Sequence, residues 1–196
     1  MQKQTKHLAS RIFLWVGIAL LAATAVALLL WQWGIHSSQE KAAGYVNTIR
    51  SLIPEPQGAA LEERRDNTMS VLSIDGTNFA GILEMPKYRS ALPVCADWGK
   101  VTKYPCRFHG SIYDRSIQIG ATTQAGQYDF YREISVGDPV FFTDMEGNRF
   151  SYTVSGIRHE AHTDQAALQK EDAALTLFIK NIYAFEYIVV FCNVSG

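Results

Sequence analysis

Apolar positions fall into three successive patterns along this chain of 196 residues. Residues 12–34 carry no charge, and Thr24 and Gln32 are the polar interruptions. At about 1.5 Å per residue, the stretch 12–31 makes a helix roughly 30 Å long, the thickness of a bilayer's hydrocarbon core. The second pattern is helical. Ala42, Ala43, Tyr45, Val46, Ile49, Leu52 and Ile53 recur on one face, and Ser37 with Glu40 has the spacing of a capping box, so a helix is expected over residues 38–53. Its apolar face either packs on the following domain or lies on lipid, and packing is the expectation for so short a stripe. PEPQG at 54–58 stops the helix, and the charged LEERRDN at 61–67 reads as a linker or short helix.

From about Ser70 the period changes to that of short strands. SVLSI, FAGILEM, SALPV, SIQI, DPVFFTD, RFSYTVSGI, LTLFI and YIVVFC are rich in β-branched and aromatic residues and are separated by turn residues, which predicts an all-β domain. The clearest local unit joins GDPVFFTD to RFSYTVSGI through MEGN, where Gly147 can supply a positive φ. HEAHTDQAALQKED, ahead of Ala173, reads as a connecting loop with a helical turn.

Charge sets the expected orientation. Lys3, Lys6 and Arg11 precede the apolar run without an acid, while His36, Ser37 and Ser38 follow it, so the N-terminus is expected in the cytoplasm and the domain outside. Trp15, Trp31 and Trp33 suit the two interfacial belts. A cleaved signal peptide would have an apolar region of about 7–15 residues and a small-residue cleavage site. This run is longer and closes on Leu and Trp, which favours a retained anchor. Setting aside the three N-terminal cations leaves a mildly acidic remainder, long enough for one domain with a core and without a basic patch for nucleic acid. Cys95, Cys106 and Cys192 would meet a compartment that permits disulfides, and an odd number leaves at least one free or paired between chains. Cys106 with Cys192 is the pairing to test first; the alternative is three small buried thiols.

In their order along the chain, FAGILEMPKYRSALPV, IQIGATTQAGQYDFYREISVGDPVFFTDMEGNRFSYTVSGI and LTLFIKNIYAFEYIVVFC resemble the sortases, cysteine transpeptidases of Gram-positive cell surfaces, over roughly residues 75–192. The likeness rests on Gly81, Met85 and Pro86, then Leu92, Pro93 and Val94, then Phe130, Gly137 and Asp138, and finally Asp144, Gly147, Phe150 and Tyr152 in a DxxG hairpin. It implies a closed sortase-type β-barrel with short helices behind one N-terminal transmembrane helix. The implied organisation is a cytoplasmic segment at 1–11, an anchor at 12–34, a helical stalk and linker at 35–69 and the barrel domain at 70–196.

The resemblance also locates what is missing. In sortases a cysteine attacks the peptide carbonyl, a histidine protonates the leaving amine and an arginine donates hydrogen bonds to substrate or oxyanion. Ala121 stands at the histidine position, Lys180 at the nucleophile position and Tyr187 at the arginine position. A tyrosine hydroxyl lacks the fork and permanent charge of a guanidinium. Cys106, Arg107 and His109 have the right chemistries but are too close in sequence to converge on one carbonyl. His159 and His162 in HEAH do not make the HExxH zinc pattern and read as a solvated loop.

The implied protein is a catalytically inactive member that works by binding and needs no cofactor or metal. Leu92, Thr176, Phe178 and Phe185 are the candidates for a surviving peptide groove. Partners implied are the cytoplasmic membrane and a sorting-signal peptide, a pilin or an active sortase. Two other readings stay open: an active transpeptidase or peptidase with non-standard residues, and a purely structural surface domain whose groove is filled by Phe178, Phe185 and Tyr187.

Overall fold

A computed structural model describes residues 2–54, 67–123, 127–161, 173–182 and 184–195. The charged linker read at 61–67, apart from Asn67, lies outside the described residues, as do His162 and most of the polar segment ahead of Ala173. Helix α1 (Gln2–Leu52) is followed by strands β1 (Leu72–Ile74), β2 (Thr77–Met85), β3 (Ser90–Cys95), β4 (Cys106–His109), β5 (Ile117–Thr122), β6 (Pro139–Asp144), β7 (Arg149–Glu160), β8 (Leu175–Asn181) and β9 (Glu186–Val194). Short 3-10 turns lie at Pro86–Tyr88, Trp98–Lys100 and Asp129–Arg132.

The chain forms two units, Met1–Ser37 and Ser38–Gly196. In the first, the apolar side chains from Phe13 to Trp33 are exposed along a helix long and apolar enough to cross a membrane. Ser37 does not cap a new helix there. Its hydroxyl donates to the Gly34 carbonyl at 3.0 Å inside α1, because the preceding turn already occupies the backbone groups that a cap would satisfy.

The second unit is a nine-stranded sheet in the order β1-β2-β3-β4-β5-β8-β9-β7-β6. β2 also pairs with β6, which closes the sheet into a barrel and leaves β1 on the edge of β2. Side chains alternate across each strand. Ile117, Ile119 and Ala121 of β5, Leu175, Leu177 and Ile179 of β8, and Ile188, Val190 and Cys192 of β9 therefore enter one core. The sequence pattern located every strand except β4, whose four residues are too few to show a period. β7 runs to Glu160, so His159 belongs to a strand and not to the following loop.

The end of α1 from Ser38 onward packs on this barrel. Val46 and Ile49 bury against Phe79 and Ile82 of β2, so the amphipathic stripe faces protein. Tyr45, Phe79 and Tyr104 form an aromatic triangle with centroids 5.0–5.8 Å apart. Glu84 of β2 accepts from Arg50 of α1 at 2.6 Å and from Arg149 of β7 at 3.0 Å. The β6–β7 hairpin sits beside the end of the helix. Asp144 Oδ1 accepts the backbone N–H groups of Glu146 and Asn148 at 2.9 and 2.8 Å, and its Oδ2 accepts the Tyr113 hydroxyl at 2.7 Å. Gly147 turns the hairpin at φ +86° against the Pro54 carbonyl.

Asp138 ties the opposite end of β6 to the turn after β2. Its carboxylate accepts from Lys87 Nζ at 2.7 Å, the Tyr88 hydroxyl at 2.5 Å and the Ser135 N–H at 2.9 Å. Burial pushes this carboxyl up, but the three donors, Lys87 foremost, outweigh it and hold it below the usual range.

Two predictions follow from these contacts. Gly147→Ala would force a side chain into the left-handed region with its Cβ 2.2 Å from the Pro54 oxygen. It is expected to cost about 2–3 kcal/mol, read as a lower urea midpoint of the detergent-solubilised chain. Because the folded pKa of Asp138 is lowered, its contribution is present above the unfolded value of about 3.9 and is lost as pH falls through the folded value. Asp138→Asn should therefore be less stable than the parent at pH 7, and a series of urea midpoints should show the gap shrinking below about pH 4.

Candidate functional site

The three positions where the resemblance places reacting groups lie at one end of β5, β8 and β9. The parallel β5–β8 register pairs Thr122 with Lys180, and the antiparallel β8–β9 register pairs Lys180 with Tyr187. Ala121 belongs to the next row, with Ile179 and Ile188. That offset decides which face each side chain takes. Ala121 is buried in the barrel core with its two row partners, whereas Lys180 is exposed and Tyr187 half-buried on the other face. The three positions are neighbours in the sheet but do not present their side chains to one surface.

Polar residues beside them hold the β8–β9 turn. Glu186 accepts from Asn181 Nδ2 at 3.3 Å and contacts His159 Nδ1 at 3.4 Å. The Ala184 N–H donates to Asn181 Oδ1 at 3.4 Å, and the Ile182 N–H to Thr123 Oγ1 at 3.3 Å. Phe185 sits in this turn at φ +53° with 84% of its surface exposed. A non-glycine residue in that region is strained, and the surrounding hydrogen bonds maintain it.

Below Lys180 the outer face of the sheet is filled. Phe178, Trp98 and Phe108 pack as a trio, with centroids 4.8 Å apart for Trp98–Phe108, 5.4 Å for Phe108–Phe178 and 5.7 Å for Trp98–Phe178. The close approach requires Gly120, where a Cβ would lie 2.5 Å from the Phe178 ring and 2.6 Å from the Trp98 ring. Thr176 and Phe178 are both buried. Leu92 lies elsewhere, in a cleft of about 290 Å³ between Ser38–Ala43 of α1, β3 and the chain around Tyr104. Leu92, Thr176, Phe178 and Phe185 thus do not share one groove. Trp98 and Phe108 carry no sequence signal for their role, because the short 3-10 turn and the four-residue strand that hold them show no period.

All three thiols are free and buried. Burial pushes the Cys192 thiol up to about 12. The pairing of Cys106 with Cys192 does not occur. β5 and β8 separate their strands, and Cys106 stands opposite Cys95. Cys106, Arg107 and His109 follow one another on β4 with Cys106 buried and His109 exposed, so they do not converge. Among the described residues no three His, Cys, Asp or Glu side chains are grouped to hold a metal ion.

The register makes a mutational prediction. Ala121→His would drive an imidazole into the packed core and is expected to cost about 2–4 kcal/mol. Lys180→Cys, at an exposed position, should change stability by less than about 0.5 kcal/mol. Denaturant midpoints of the two variants distinguish them.

No protein-family model matches this sequence, and no curated protein matches it as a relative. Solved structures do match its fold. A Clostridium perfringens sortase D5 transpeptidase superposes with a TM-score of 0.54 at 11% identity, covering 81% of this chain and 98% of that one. Sortase A from Corynebacterium diphtheriae gives 0.51 at 14% identity, over 83% and 84% of the two chains. Clostridium perfringens sortase C, solved with the C-terminal cell wall sorting motif, gives 0.52 at 15% identity, over 80% and 90%. The closed barrel, its strand order and these superpositions together show that this chain has the sortase fold, preceded by one helix apolar enough to span a membrane.

Proposed function

We propose that this chain is a membrane-anchored sortase-fold protein that has lost acyl transfer and binds a sorting-signal peptide, a pilin or a partner sortase, the peptide being the occupant its cleft fits. One observation carries the reading: the nucleophile position holds the exposed ammonium of Lys180, while every thiol in the chain is buried inside the barrel wall. A thiol can attack a peptide carbonyl only where substrate reaches it. The same observation counts against a transpeptidase with relocated residues. Lys3, Lys6 and Arg11 support a cytoplasmic N-terminus and a barrel outside the cell.

The peptide's place is the Leu92 cleft. The aromatic trio occupies the outer face beside Lys180, so recognition there would have to displace packed rings. The cleft instead combines apolar Leu92, Ala42 and Phe130 with Arg89 and Lys103, and among the described residues no acid lines it. Apolar walls with a few polar groups are what an extended peptide segment needs. The sortase C match was solved with a C-terminal cell wall sorting motif, which makes that motif the natural probe.

Titrating the detergent-solubilised chain with a fluorescent peptide bearing this motif is expected to give saturable binding. Leu92→Arg should weaken it at least tenfold, about 1.4 kcal/mol. Intact-mass measurement after incubation should find the chain unmodified. A covalent acyl adduct would overturn the loss of chemistry, and binding that never saturates would overturn the peptide assignment.

A further inference from the structure

The barrel has one weak seam. β3 and β4 meet at a single register pair, Cys95 opposite Cys106, whereas every other pairing in the sheet has at least three. The Cys95 N–H donates to the Pro105 carbonyl at 2.7 Å, and little else in the backbone ladder joins the two strands. Both side chains are buried, and the Cys106 thiol donates to the Tyr104 carbonyl at 3.3 Å. Adjacent strands lie about 4.7–4.9 Å apart, inside the range of about 4.4–6.8 Å that Cα atoms span in a disulfide.

The surroundings prepare one sulfur to react. The Cys95 sulfur accepts the Asp97 N–H at 3.4 Å. The Cys106 thiol beside it, the Asp97 N–H and the nearby Lys100 ammonium together lower its pKa, while the Cys106 thiol is pushed up by Cys95. Lys100 is itself fixed by donating to the Gly76 carbonyl at 2.9 Å and the Thr77 hydroxyl at 2.8 Å. Two neighbouring thiols, one with a lowered pKa, are the arrangement from which thiol–disulfide exchange proceeds.

We propose that Cys95 and Cys106 are a disulfide-forming pair that sews β3 to β4 when the domain meets an oxidising disulfide, either a small molecule or a thiol oxidoreductase. Cys95 attacks one sulfur of the oxidant RSSR, giving a mixed disulfide and one RSH. Cys106 then displaces the second sulfur, forming the Cys95–Cys106 bond and releasing another RSH. The protein gives up two electrons and both thiol protons, and these reduce one RSSR to two RSH. Access comes from opening a seam held by one register pair, the fewest of any pairing in the sheet.

The bond would close the loop that carries Trp98, Lys103, Tyr104 and Pro105. Trp98 packs on Phe178, and the other three line the Leu92 cleft, so one covalent link would fix parts of both surfaces. The proposal does not depend on what the cleft binds.

The test uses the full chain in detergent, treated with oxidised or reduced glutathione, alkylated and digested with trypsin. Cys95 falls in SALPVCADWGK, Cys106 in YPCR and Cys192 in the C-terminal peptide, so the connectivity reads out directly. Oxidation is expected to join the first two peptides with the loss of two hydrogens. It should also raise the melting temperature by about 6–12 °C, the effect of closing so short a loop in a domain of this size. Cys192→Ser should keep both results and Cys106→Ser should abolish both. Alkylation of both Cys95 and Cys106 after oxidation, a crosslink through Cys192, or equal melting temperatures for the oxidised and reduced parent chain would overturn the proposal; none of these readings requires a variant to fold.

Discussion

The double use of β2 is the constraint on which this structure depends. A strand has two edges, and β2 gives one to β3 and divides the other between β1 and β6. That division closes the barrel and leaves no long unpaired edge at the point of closure. The two faces of β2 are divided as well. Ala80, Leu83 and Met85 enter the core, while Phe79 and Ile82 receive Val46 and Ile49 of α1. Glu84 adds a carboxylate shared by Arg50 and Arg149, so helix, closing strand and β6–β7 hairpin meet on one element.

The hairpin and the turn after β2 show how polar groups finish what burial begins. Asp144 organises the turn by taking two backbone N–H groups, a hydroxyl and the Asn148 amide. Asp138 draws together Lys87, Tyr88 and Ser135 across the gap between β6 and the end of β2. Both aspartates lie in the segments that carry the sequence resemblance, and both are satisfied structurally here. In this chain the two aspartates therefore serve the scaffold.

At the barrel end, register matters more than residue type. Thr122, Lys180 and Tyr187 form one row, and Ala121 lies in the neighbouring row with its side chain on the opposite face. Residues expected to act together are thus divided by the pleat. Gly120, Phe178, Trp98 and Phe108 form a packed surface where a groove was expected, while Leu92 contributes to a cleft against the helix. The cysteines follow the same logic, since Cys106 is brought to Cys95 by a parallel pairing that joins residues eleven apart in sequence.

What the sequence by itself determined is whatever depends on local period and on composition. The uncharged apolar run of residues 12–34, the helical stripe before Pro54, the strands with alternating or β-rich character and the DxxG turn at Asp144 and Gly147 are all legible one segment at a time. The order of those segments sufficed for the sortase resemblance, and the expectation that Ala121, Lys180 and Tyr187 replace its reacting residues came from the same order. Only the tertiary structure decided which strands are neighbours, in what register, and hence which face each side chain takes. That is why the burial of Ala121, the Trp98–Phe108–Phe178 trio, the Leu92 cleft and the Cys95–Cys106 pair were not legible beforehand. A shift of one residue in strand register reverses every side chain, and a linear sequence does not state the register.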